Sequence, residues 1–187
     1  ALFAGFPEAY ATLFSAMYIP FILFLGFLIF RAVSIEFRGK EPMKWWKNLW
    51  DAAYSISSAA LALLLGVVLG NVLIGITMND QYIFTGHWLE FLNPYALTVG
   101  LTTLALFMVH GAIYLTMKTE GGLFKKIARL LRISILVFVV LFVIVTLISV
   151  LYYPHLTDRF LDQPVLFIVP LLAFLSIANV PRLASKG

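Results

Sequence analysis

The stretch "HGAIYLTMKTEGGLFKKIARLLR", residues 110–132, decides how this chain is read. It begins inside a long apolar run, holds one imidazole at His110, and then turns polar and basic. That is the pattern of a membrane-spanning helix reaching a charged surface. Gly121 and Gly122 are expected to end the helix. Lys118, Lys125 and Lys126 are expected to anchor that end among anionic head groups. His110 precedes Lys118 by eight residues, which is about 12 Å of helix at about 1.5 Å per residue.

Composition agrees. Hydrophobic residues make up 62% of the chain and charged residues 12%, where a soluble domain carries about 25% charged residues. The mean hydropathy is +0.99. The 13 Lys and Arg against 9 Asp and Glu leave a net charge of +4. These cations lie in short gaps between apolar runs and form no folded basic face, so nucleic acid is not a partner. The chain has no cysteine, which excludes disulfides and thiolate metal sites. The opening "ALFAGFPEAY" has no initiator Met and no basic leader pattern. It reads as the continuation of a longer polypeptide.

A spanning helix needs about 20 mostly apolar residues. Five candidates meet this, over 9–30, 51–77, 94–117, 127–152 and 164–181, with Pro20 an expected kink in the first and Pro170 inside the fifth. The fold class is therefore all-α, a polytopic transmembrane helix bundle, with 1–187 as one helical domain. Charge alternates between the connections. Arg31, Arg38, Lys40, Lys44 and Lys47 mark one, and Lys118, Lys125, Lys126, Arg129 and Arg132 mark another. The 78–93 connection has no Lys or Arg, and 153–163 has only Arg159. The positive-inside rule then puts the N-terminus outside and the C-terminus inside. Trp45, Trp46 and Trp50 among lysines read as an interfacial belt. The segment "YIFTGHWLEFLNPY" reads as an outer connection with a short helix.

Few side chains could carry chemistry. His110 is the one histidine well inside a span, and an intramembrane ionisable group is a functional candidate. From the residues alone three roles stay open: a haem or metal ligand, a neutral hydrogen bond across helices, or part of a proton-conducting interior. Haem ligation asks for an axial position, a cavity and usually a second ligand, and His87 and His155 lie in outer loops. Glu8 sits just outside the first span, while Glu36 and Asp51 flank the inner surface. Each is a candidate for a proton path, against helix capping or pairing with a nearby base. Asp51 is expected to cap the second helix, and Glu36 to pair with Arg38. Gly66 and Gly70 in "GVVLG" form a small-xxx-small pattern for close helix packing. Ser55, Ser58, Asn71 and His110 are expected to turn away from lipid, because unmet polar groups in hydrocarbon are costly. The fourth span has little to hide and should be the most exposed. No P-loop, HExxH, Rossmann or nucleophile-elbow motif occurs.

Several stretches together resemble subunit II of the cytochrome bd quinol oxidase family. They are the F-P-x-x-Y turn at Phe6–Tyr10, R-x-V-x-x-E-F-R at Arg31–Arg38, the W-D pair at Trp50–Asp51, L-N-P-Y at Leu92–Tyr95, and H-G-A-x-Y-L-x-x-K-T-x-G from His110 to Gly121. The resemblance covers nearly the whole chain. It implies a terminal oxidase of the bacterial cytoplasmic membrane that oxidises quinol and reduces dioxygen to water. It also implies that haem b and haem d are held by the partner subunit I, with none bound by this chain. Small single-span subunits, quinone and membrane lipid are the further partners it suggests. His110 then becomes an interior polar contact. The rival reading, a fragment of a secondary transporter or permease, would show broken helices around a polar midplane. Pro20 and Pro170 offer breaks, but few charges lie at mid-depth.

Overall fold

The computed structural model describes residues 2–76, 88–158 and, in the C-terminal stretch, 165, 168, 170–172, 175, 176 and 179. Among these residues the chain is helical, with no strand: α1 (Leu2–Gly5), α2 (Pro7–Ala16), α3 (Tyr18–Arg38), α4 (Lys44–Ile74), α5 (Pro94–Thr116) and α6 (Gly121–Tyr152), with short 3-10 turns at Trp88–Leu92 and Pro154–Leu156. Four helices, α3 to α6, are long and apolar enough to cross a membrane. They answer to the first four expected spans. The fifth, 164–181, falls largely outside the described residues. The chain divides into two compact units, 1–100 and 101–187, with the boundary inside α5.

Several helix limits differ from expectation. The first span is broken at Met17, between α2 and α3, where a kink at Pro20 was expected. Pro20 lacks an N–H, so Ala16 loses the donor four residues on, and the ring crowds that same carbonyl. The disruption therefore falls upstream of the proline, which itself sits in the first turn of α3, where its missing donor is harmless. Met17 is fully buried at the break, packed with Ala16 and Phe91 against Leu13, Phe21 and Val68. The Phe14 and Phe21 rings stack across it at 4.2 Å between centroids.

Asp51 does not open the second helix. α4 starts at Lys44 behind an extended Met43, so Asp51 lies in its third turn. Pro42 and the extended residue after it end the turn, and nothing from Lys44 onward opposes helix. The free carbonyls ending α3 are met in part by Trp46, whose Nε1 donates to Phe37 O at 2.8 Å. That contact ties the start of α4 to the end of α3.

Gly121 and Gly122 likewise begin α6 and do not end α5. α5 stops at Thr116, and its last carbonyls accept from Thr116 and Thr119 hydroxyls at 2.7 and 2.8 Å. Gly121 takes a left-handed φ of 67°, which explains a glycine at the turn into α6.

In the first unit, α4 meets the start of α5 closely. A Cβ at Gly70 would stand 2.7 Å from Ala96 Cα, and one at Gly100 3.0 Å from Leu63 O. Gly66 and Val67 are buried on the same helix. The motif Leu92–Tyr95 explains the entry into α5. Asn93 caps the helix, its Oδ1 accepting from Ala96 N at 2.7 Å, and Pro94 takes the first helical position. Asn71, buried in α4, completes the joint. Its Nδ2 donates to Phe91 O at 2.8 Å and its Oδ1 accepts from Asn93 Nδ2 at 2.9 Å. In the second unit, Val109 and Ala112 of α5 pack with Ile127, Leu131 and Ile135 of α6. Beyond Ile135, α6 is half-buried or exposed.

Candidate functional site

The turn between α3 and α4 gathers the strongest polar constellation among the described residues. Arg31, Ser34 and Arg38 recur at three and four residues along α3, so they share one face. Asp51 and Tyr54 share a face of α4 for the same reason. The hairpin brings these faces together. Arg38 Nε donates to Asp51 Oδ1 at 2.5 Å and Nη2 to Oδ2 at 3.2 Å, a two-pronged contact. Both side chains remain about half exposed, at 53% and 52%. Solvent screening therefore limits what this pair adds to stability. Two turns along α3, Arg31 Nη2 donates to Tyr54 OH at 3.3 Å, and its guanidinium carbon lies 5.3 Å from the Tyr54 ring centroid. Ser34 between them is buried and bonds to Phe30 O at 2.6 Å.

An aromatic group flanks the ion pair. Phe37 and Trp50 ring centroids lie 5.1 Å apart, and Trp46 and Trp50 5.6 Å apart. Trp50 Nε1 is buried with no hydrogen-bond partner among the described residues. The result is a half-exposed carboxylate held by a guanidinium, on a hairpin that also carries the Phe37, Trp46 and Trp50 rings.

The remaining candidates lie apart from this cluster. Glu36 is exposed and sits 3.8 Å from Lys40, four residues on, in place of the expected pairing with Arg38. The Arg38 fork is already filled by Asp51. Glu8 lies exposed in the first turn of α2, where a negative charge suits the helix dipole. His110 is exposed on α5, as is Ser55 on α4, while Ser58 is half-buried and Asn71 buried. Ser55 and Ser58 bond back to the carbonyls of Asp51 and Tyr54. Among the described residues no three His, Asp or Glu side chains converge. A haem needs an enclosing pocket as well as an axial ligand. One imidazole on an open helix face does not fit that need, and no step is assigned to a haem in this chain.

Sequence reasoning singles out Asp51 but misses Arg38 as its partner, and the Arg31–Tyr54 contact farther along the same two helices. The available signal was spacing: two arginines seven apart, facing an acid and a phenol three apart across a short turn.

The profile of the family described as "Cytochrome bd terminal oxidase subunit II" matches residues 1–187. The chain belongs to that family. Similar proteins carry matching names. "Cytochrome bd-I ubiquinol oxidase subunit 2" of Escherichia coli K12 is 37% identical over 146 residues, 76% of this chain and 38% of that protein. "Probable cytochrome oxidase subunit 2" of Haemophilus influenzae is 34% identical over 148 residues, 77% of this chain and 39% of its own length. "Cytochrome bd ubiquinol oxidase subunit 2" of Bacillus subtilis is 32% identical over 130 residues, 70% and 38% of the two chains. The match thus covers about two-fifths of each curated relative. The transporter alternative gains no support from these similarities.

Proposed function

We propose that this chain works within the second, non-haem subunit of a quinol oxidase of the bacterial cytoplasmic membrane. The observation that carries this is the family match along the whole chain, joined to four helices able to span a bilayer. In the complete reaction two quinols each give up two electrons and two protons, and one dioxygen takes four electrons and four protons to become two waters. Haem b and haem d, held by subunit I, supply the electron chemistry. This chain packs beside that subunit, with small single-span subunits and lipid as further neighbours. With the N-terminus outside, the basic turns at 31–48 and 118–132 lie on the cytoplasmic side.

That orientation gives the Arg38–Asp51 fork a role. It stands where protons for water enter, at the end of the α3–α4 hairpin. Asp51 exchanges protons with cytoplasmic water. Arg38 orients the carboxylate through Nε and holds it to the hairpin. Glu8, Glu36 and His110 lack comparable partners and serve as surface or subunit-contact groups.

The test is purification of the complete subunit with whatever it assembles with. The proposal expects a haem b and haem d difference spectrum and quinol-dependent oxygen uptake. It also expects Lys40 and Lys126 to resist a membrane-impermeant amine reagent in intact cells. A haem-free assembly, or labelling of either lysine from outside, contradicts it.

A further inference from the structure

α6 carries a feature that the oxidase reading does not use. Phe124, Lys125, Ala128, Arg129 and Arg132 frame a cavity of about 280 Å³ on one side of its first three turns. Phe124, Ala128 and Arg132 follow one another a turn apart on one row of the helix, and Lys125 and Arg129 lie on the adjacent row. At about 100° per residue the three cations fall within an arc of about 60°. Ile127, Leu131 and Ser134 point elsewhere, into the packed side of the helix.

Three cations so placed are unfavourable by themselves. Lys125 and Arg129 are like charges four residues apart, and Arg129 and Arg132 are three apart. Among the described residues the ion pairs are Arg38–Asp51 and Lys40–Glu36, so no acid compensates them. An anion in the notch would relieve that repulsion. The same helix face then says which anion. Beyond Arg132 it continues as Leu136, Val143 and Leu147, all exposed. No charged residue occurs from 133 to 152, a stretch of about 30 Å, the thickness of bilayer hydrocarbon. Arg132 therefore stands at the boundary between head groups and acyl chains.

We propose that this notch is a binding site for an anionic phospholipid. Its phosphate rests over Ala128 between Lys125, Arg129 and Arg132, and an acyl chain runs along Leu136, Val143 and Leu147. The cations span seven residues, about 10 Å of helix, so a head group with two phosphates engages them more fully than one with a single phosphate. This differs from general attraction of basic segments to the membrane, in which Lys126, off this face, would count as much as Arg129.

The experiment measures lipid bound to the full-length assembled protein by native mass spectrometry, after exchange into detergent. The probes are diphosphatidylglycerol, phosphatidylglycerol and phosphatidylcholine. The wild type should retain them in that order of strength. R129Q/R132Q should lower retention of diphosphatidylglycerol at least fivefold. A128L, which fills the notch without changing charge, should do the same. K126Q should leave retention within twofold. Equal losses in K126Q, or normal retention in A128L, would overturn the proposal in favour of diffuse surface charge. Displacement of the lipid by millimolar inorganic phosphate would overturn it in favour of a site for free phosphate.

Discussion

α4 and α6 are nearly the same length, 31 and 32 residues, and both are apolar enough to span a bilayer. Yet 39% of the most apolar stretch of α4 is buried within the chain, against 11% for α6. Their residues explain the contrast. α4 carries Gly70, which permits backbone contact with α5, and Asn71, which locks it with amide hydrogen bonds. From Ile135 to Tyr152, α6 offers branched and aromatic side chains, with hydroxyls at Thr146 and Ser149 bonded to its own backbone. In lipid, apolar side chains gain little by leaving one apolar surface for another. Close packing and interhelical hydrogen bonds decide which helices associate. Hydropathy marks both helices as spans, while small and amide residues mark which one forms the core.

The contrast breaks most readily at Gly70. Gly70→Val places its first atom against the Ala96 backbone, and backbone cannot move aside as a side-chain tip can. We expect a loss of at least about 3 kcal/mol, seen as little folded protein recovered in mild detergent. Normal recovery would mean that α4 and α5 do not touch there. Asn71→Ala should cost about 1–3 kcal/mol, since it removes the side-chain bonds to Phe91 O and from Asn93 Nδ2. The check is the midpoint of thermal aggregation, and an unchanged midpoint would show that the joint is not held by this network. Trp46→Phe removes the indole bond to Phe37 O and should cost about 1 kcal/mol. At the other extreme, Leu147→Ala on α6 should lie within about 0.5 kcal/mol of wild type in the isolated chain. A larger loss would place that face in a core.

The four spans were readable because about 20 consecutive apolar residues admit few other meanings. Their ends were less so. Hydropathy follows the hydrocarbon, but α4 and α6 begin earlier, at Lys44 and Gly121, in polar turns where helix propensity and the turn residues decide. That displacement moved Asp51 from a capping position to the helix side, where it meets Arg38. The pair lies 13 residues apart across a turn, and its register depends on how two helices rotate against each other. No periodicity within either helix states that rotation. The Asn71–Asn93 joint was hidden for the same reason, although L-N-P-Y was visible as a turn. His110 stood out as a lone imidazole in an apolar run. Its exposed position on α5 could not be read from that run, since α5 has apolar residues around its whole circumference.

The central claim is that Asp51, held by Arg38 at the end of the α3–α4 hairpin, passes protons for dioxygen reduction in a complex whose haems lie elsewhere. The most direct measurement is quinol-dependent oxygen uptake per haem in the assembled complex carrying Asp51→Asn. The amide still accepts from Arg38 but carries no exchangeable acid proton. Haem content should match the wild type, and turnover should fall on the order of a hundredfold, the low end for loss of a proton-transferring group. Turnover equal to wild type at equal haem content would contradict the claim.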